Sequence, residues 1–162
     1  MDVSGYHVTP SVCIHISQNI NLYIQQNRIN KKQNNLEIYE QLFQKSDVDL
    51  VISSHNQYYE RTYPILYNED YEKSTNKKAQ PQPIITDHSQ SEYPPTDGIV
   101  FLTVGTAGDE LVPVKEIHDF YVVQASKFGF LNIEIENKGK TLVGTFHSND
   151  GDIIDHFRLN ET

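Results

Sequence analysis

"VDLVISSHNQYYERTYPI", Val48 to Ile65, begins as an apolar β-strand and runs directly into a polar and aromatic cluster, His-Asn-Gln-Tyr-Tyr-Glu-Arg. Six residues rich in Val, Leu and Ile (Val48 to Ser53) predict a short buried strand. Upstream, "LEIYEQLFQKS" repeats Leu36, Tyr39, Leu42 and Phe43 at helical spacing, with Asn35 placed to cap the helix. A helix followed by a strand is the unit of an α/β sheet, and the carboxyl end of such a strand is where ligands bind.

Working outward, "VTPSVCIHI" (Val8 to Ile16) predicts a second strand, ending near His15. If the two strands are parallel neighbours, His15 and His55 share one rim of the sheet. A neutral imidazole at either position could bind a divalent metal or move a proton, and could equally be an ordinary hydrogen-bonded residue at a strand end. From residue 68 to 97 periodicity gives way to Asn, Lys, Gln, Ser and Pro, including "QPQP" and "EYPPTDG", which reads as a long loop. Four strand-like runs follow: Gly98 to Gly108, Phe128 to Ile135, Thr141 to His147 and Asp152 to Leu159. "ENKGK" and "SNDGD" lie between the last three as hairpin turns in which Gly supplies positive φ, so the chain should end in an antiparallel sheet.

Composition narrows the function classes. The 162 residues suffice for one domain, and 13 Lys and Arg against 22 Asp and Glu give a net charge of -9. That balance repels nucleic acid and anionic membrane surfaces, and the basic run "NRINKKQNN" (27–35) has no aromatic partner, so it reads as a solvated loop. Cys13 is the single cysteine, which excludes an intramolecular disulfide and a thiolate-rich metal site. "MDVSGYHVTP" has no basic start or apolar core of an export signal, and no apolar run approaches a membrane span. The sequon "NET" at 160–162 is short enough to arise by chance. "TVGTAGDE" lacks the Gly-Lys-Ser or Gly-Lys-Thr of a phosphate-cradling loop and reads as a turn. His7, His88, His118, His147 and His156 have loop or hairpin neighbours and read as surface or hydrogen-bonded residues.

The opening stretch resembles the last metal-binding motif of the purple acid phosphatases, calcineurin-like metallophosphoesterases whose pattern is V-D-L-x-x-x-G-H-x-H-x-Y-E-R-x-x-P. "IVFLTVGTAGDE", "KFGFLNIEIENKGKTL" and "DGDIIDHFRL" are similar to that family's C-terminal segment, with its T-V-G-T-x-G turn and D-G-x-x-x-D-x-F ending. "VCIH" (Val12 to His15) fits the preceding V-x-x-H motif. The resemblance implies an α/β fold: a partial metallophosphoesterase-like β-sandwich flanked by helices and ending in an antiparallel C-terminal sheet. It divides the chain into a C-terminal part of the phosphoesterase domain (1–67), a loop (68–97) and the family's C-terminal segment (98–162).

In that family two metal ions, iron with zinc, manganese or a second iron, activate a hydroxide that attacks a phosphomonoester. The resemblance implies metal-ligand positions at His15, His55 and Gln57, where Gln57 replaces a histidine and offers a much weaker neutral oxygen. Ser54 replaces the motif's glycine, and Tyr59, Glu60 and Arg61 keep the Y-E-R pattern as support to the site. The family's D-x-G, G-D-x-x-Y and G-N-H-[DE] motifs are absent from these residues, so no catalytic residue is assigned and a complete dinuclear centre is not expected on this chain alone. Two readings stay open: part of a metal-dependent acid phosphatase, with a phosphomonoester as substrate, or a non-catalytic remnant used for binding or assembly. Relatives are exported or vacuolar, and a half-sandwich should self-associate through exposed sheet.

Overall fold

The computed structural model describes residues 12–14, 42–54, 56–68, 83–95, 98–108, 110–114 and 117–160. Helix among them is limited to the turn at 42–45 and a short 3-10 turn, Asn137–Gly139. The first turn ends at Asp47, whose left-handed backbone (φ 50°) lets Val48 N donate to Phe43 O at 3.1 Å. This closure satisfies an end carbonyl and aims the chain into the next strand. The rest of the predicted helix, 36–41, lies outside the described residues.

The central sheet has five strands: β1 (Val12–Ile14), β2 (Leu50–Ser53), β3 (Tyr59–Thr62), β7 (Val100–Val104) and β8 (Tyr121–Ala125), in the order β1-β2-β7-β3-β8. β1 runs parallel to β2 with Ile14 opposite Ile52, and β2 runs parallel to β7. The sheet then reverses, because β3 is antiparallel to both β7 and β8. The expected parallel pair of strands is therefore present, although His15 itself lies outside the described residues.

Between these elements sit β4 (Ile65–Leu66) and β5 (Ile84–Ile85), a short antiparallel pair, and β6 (Glu92–Tyr93). The interval expected as loop thus carries strand structure at 84–85 and 92–93, and β6 joins the second sheet beside β11 (Ile153–Asn160). Tyr93 explains this: its ring is fully buried in the core, and Asn160 Nδ2 donates to its carbonyl at 3.3 Å. The second sheet has the order β6-β11-β10-β9, where β9 is Gly129–Glu136 and β10 is Thr141–Ser148. β9, β10 and β11 are antiparallel hairpin neighbours as predicted. In the first hairpin turn Asn137 (φ 52°) and Lys138 (φ 61°) adopt the left-handed region together with Gly139, so glycine does not carry that turn alone. Gly151 (φ 91°) serves the second turn as expected.

Period-two alternation packs the two sheets face to face. Leu50, Tyr59, Val100 and Leu102 from the first meet Leu142, Phe146, Phe157 and Leu159 from the second, with Tyr93, in one buried cluster. Burial of each such side chain contributes about 1.5–3 kcal/mol, which makes this interface the main source of stability. A second cluster, Phe43, Val51, Ile65, Ile99 and Phe101, covers the opposite face of the five-stranded sheet. Both faces of β2 and β7 consequently carry buried apolar side chains, as their continuous hydrophobic runs require.

Candidate functional site

The loop that follows β2 turns back within five residues into β3, and its course is set by backbone contacts. Tyr58 N donates to Asn56 O at 2.9 Å, Gly105 N to Tyr58 O at 3.2 Å, and Val112 N to Gln57 O at 3.0 Å. Gly105 lies so close that a Cβ there would sit 1.8 Å from Asn56 O. The Val104-Gly105-Thr106 turn is thus a bed for the 56–58 loop, and only glycine leaves room for it. Thr106 Oγ1 fixes that bed by donating to Gly129 O at 2.9 Å, which couples it to the start of β9. Gln57 is half-buried in this loop.

Alternation along β3 then sends the three residues of the Y-E-R pattern to opposite sides of the sheet. Tyr59 and Arg61 enter the core between the sheets, where both are almost completely buried. Arg61 grips the Asp155 carboxylate with two prongs, Nε to Oδ2 at 2.6 Å and Nη2 to Oδ1 at 2.8 Å. Its Nη1 donates to Tyr93 Oη, and Nη2 also donates to Gln90 O at 2.8 Å. Tyr59 Oη donates to Asp155 Oδ2 at 2.6 Å, and its ring stacks on Phe146 at 4.1 Å. The guanidinium carbon lies 4.8 Å from the Phe157 ring centroid, so the charge also faces an aromatic surface.

Every polar atom of this group finds a partner, which is what a buried charge requires. Burial acts against the Arg61 charge, but hydrogen bonds to Asp155 and its negative charge outweigh that and hold the guanidinium more firmly protonated than usual. Burial, then the Asp155 charge, push the Tyr59 phenol far above its ordinary range. Tyr93 is raised as well, chiefly by burial. The cluster is therefore a buried tie between β3 and β11, in which the Arg61 charge and the Tyr59 and Tyr93 protons are held in place near neutral pH.

Glu60 projects to the other face, where Thr103 Oγ1 donates to Oε1 at 3.0 Å and Gln124 Nε2 to Oε2 at 3.2 Å. Burial raises its carboxyl above the usual glutamate range, and the hydrogen bonds from Gln124, Thr103 and Tyr121 offset only part of that. The sequence pattern grouped Tyr59, Glu60 and Arg61 as one support; the strand's pleat separates them into two.

The candidate ligand positions His15 and His55 lie outside the described residues, as does His7. Among the described residues no three His, Cys, Asp or Glu side chains converge on a point that could hold a metal ion. Asp155 is consumed by Arg61, and Glu60 by its neutral donors, so the described side chains do not fit a dinuclear centre. The remaining histidines serve packing. His147 stacks on Phe130 at 5.3 Å, His118 on Phe120 at 5.1 Å, His156 hydrogen-bonds Thr145 Oγ1 at 3.0 Å, and His88 lies 5.6 Å from the Tyr63 ring. Among the described residues no helix is long and apolar enough to cross a membrane.

Asp155 and Tyr93 were not singled out by sequence reasoning. The D-x-F ending that contains Asp155 was visible, but nothing in it announces a partner 94 residues away.

No family model matches the chain, and no curated protein matches it by sequence. Its fold has a counterpart in the purple acid phosphatase PPD1 from seeds of yellow lupin (Lupinus luteus), with a TM-score of 0.65 at 21% identity over 86% of this chain. The shared fold is a partial β-sandwich of two packed sheets. The chain spans 22% of the length of the lupin protein. GAP50, the anchor in the inner membrane complex of Plasmodium, is a more distant likeness: 16% identity, a TM-score of 0.48, and coverage of 95% of this chain and 35% of that one.

Proposed function

We propose that this chain is the C-terminal portion of a purple acid phosphatase-like metallophosphoesterase, related remotely to that family, and that it supplies scaffold rather than chemistry. One observation carries the reading. Tyr59 and Arg61, of the Y-E-R pattern, close on Asp155, of the D-G-x-x-x-D-x-F ending, in a single buried cluster. Two sequence motifs that resemble the same family are thus joined by one physical contact, and chance similarity has no reason to produce that. The family's activity is hydrolysis of phosphomonoesters at a dinuclear metal centre, with His15, His55 and the weak Gln57 as this chain's contribution to it. On its own the chain should neither retain two metal ions nor turn over substrate.

Elemental analysis after dialysis, with hydrolysis of p-nitrophenyl phosphate at acidic pH, tests this. The expected result is less than one equivalent of metal and no turnover. About two equivalents of iron, zinc or manganese with turnover would overturn it.

Gln57 favours the second reading, a non-catalytic remnant that binds or assembles, because an incomplete chain does not account for a changed ligand within the part present. Coding sequence upstream of Met1 separates the two: D-x-G and G-N-H-[DE] motifs there favour the phosphatase portion. Association through exposed sheet accompanies either reading, and a monomer by light scattering would exclude it.

A further inference from the structure

The edge strands of the two large sheets differ in how much they leave open. β1 has 3 residues, β6 has 2 and β8 has 5, whereas β9 has 8. β9 contains no Pro or Lys, and its register with β10 runs without a bulge, so it lacks the devices that blunt an edge. Its hydrogen-bonding sense follows from its start. Asn149 N donates to Phe128 O at 2.9 Å, one step before the pair Gly129 and Ser148 in the same register. Antiparallel pairs alternate between bonded and unbonded, so Phe130, Asn132, Glu134 and Glu136 bond to β10, while residues 129, 131, 133 and 135 turn their N–H and C=O outward. Thr106 occupies the first of these: Gly129 N donates to Thr106 O at 3.5 Å, and Thr106 Oγ1 donates to Gly129 O at 2.9 Å. Among the described residues, the outward backbone groups of Leu131, Ile133 and Ile135 are engaged by no strand or loop.

We propose that β9 pairs antiparallel with β9 of a second copy about a two-fold axis at Ile133, joining the two four-stranded sheets into one continuous sheet. The open residues fix this register. Centring on Ile133 sets Ile133 opposite the partner's Ile133 and Leu131 opposite the partner's Ile135, so every open residue bonds an open residue. A register centred on Asn132 would set Ile135 against the partner's Gly129, whose backbone groups Thr106 already holds. One centred on Glu134 would oppose two carboxylates. Side chains agree with the choice. On the core face Leu131 and Ile133, packed against the core, and Ile135, 55% exposed, form an apolar row with their counterparts. On the outer face Phe130 meets the partner's Glu136, which is ion-paired with Arg158 of its own chain at 2.6 Å, and Asn132 meets the partner's Glu134. No Glu opposes a Glu, although each chain has a net charge of -9. Isologous pairing of this kind closes at two copies. It depends on β9 alone and holds under either reading of the function.

Sedimentation of the full chain over a concentration series, at physiological ionic strength, tests the pairing. A weak, reversible monomer–dimer equilibrium is expected, since one strand pair buries less than a standard interface. Ile135→Pro removes an N–H that makes no bond within the chain, so it should keep the thermal midpoint near that of the wild type and abolish the dimer. Should Ile135→Pro fail to fold, Ile135→Lys places a charge on the edge, with the same result expected. Asn132→Lys reads the register. The new ammonium faces the partner's Glu134 and should tighten the dimer by about 2- to 30-fold, whereas a register centred on residue 132 would oppose two ammonium groups and weaken it. His156→Lys adds charge to the same outer face two strands further in and should leave the dissociation constant nearly unchanged. A monomer at every concentration overturns the proposal. So does a dimer that survives the substitution at Ile135, one that Asn132→Lys weakens, or one that His156→Lys tightens equally.

Discussion

Arg61 on β3 and Asp155 on β11 form a bidentate ion pair in which both side chains are at least 97% buried, at 2.6 and 2.8 Å. A pair so enclosed is destabilising when broken on one side only, because the surviving charge keeps its desolvation cost without its partner. Asp155→Asn should lower the unfolding free energy by about 3–5 kcal/mol in urea titrations. The double variant Arg61→Met/Asp155→Leu should recover part of that loss, since no lone charge remains. Equal loss in the double variant would mean that the pair itself supplies the stability.

The Tyr59 hydroxyl donates to the same Oδ2 that Arg61 Nε engages. Tyr59→Phe keeps the stack on Phe146 and removes one hydrogen bond to a charged group, worth about 1.5–3 kcal/mol. Combined with Asp155→Asn, the two losses should fall short of additive, because both delete the same contact. A strictly additive cycle would separate Tyr59 from the tie.

At Gly105 the neighbour is backbone, so a side chain cannot be accommodated by a rotamer change. Gly105→Ala should displace the 56–58 loop and cost about 1–3 kcal/mol or more. Amide shifts concentrated at Asn56, Gln57 and Tyr58 are the expected signature in two-dimensional spectra. Shifts confined to Gly105 and Thr106 would mean that the bed does not set the loop.

Phe146 is fully buried between the sheets and stacks on Tyr59. Phe146→Ala should destabilise by about 3–5 kcal/mol, through lost burial and an unfilled cavity. The same change at Phe130, which is 62% exposed, should leave the denaturation midpoint nearly unchanged.

Some of the molecule was legible residue by residue. The runs at β7, β9, β10 and β11 show strand composition, their turns contain Asn, Asp and Gly, and apolar stretches predicted β2 and β1. β8 was missed because all five of its residues are half-buried, so no alternation marks it. β6 was missed because Tyr93 stands in a Pro-rich neighbourhood whose local signals favour loop. Grouping Tyr59, Glu60 and Arg61 by adjacency overlooked the pleat, which a count of alternate positions could have supplied.

The sequence by itself determined the local preferences: which of the longer apolar runs become strands, where the hairpins turn, and that Gln57 occupies a position held by a histidine in the motif it resembles. Those preferences depend on residues within a few positions of one another. Only the tertiary structure decided that Asp155 neutralises Arg61, that Tyr93 closes the same cluster from the loop region, and that Glu60 lies among neutral donors on the opposite face. Strand order and sheet packing bring those groups together, and the energy of a buried charge depends on what surrounds it in space rather than on its neighbours in the chain.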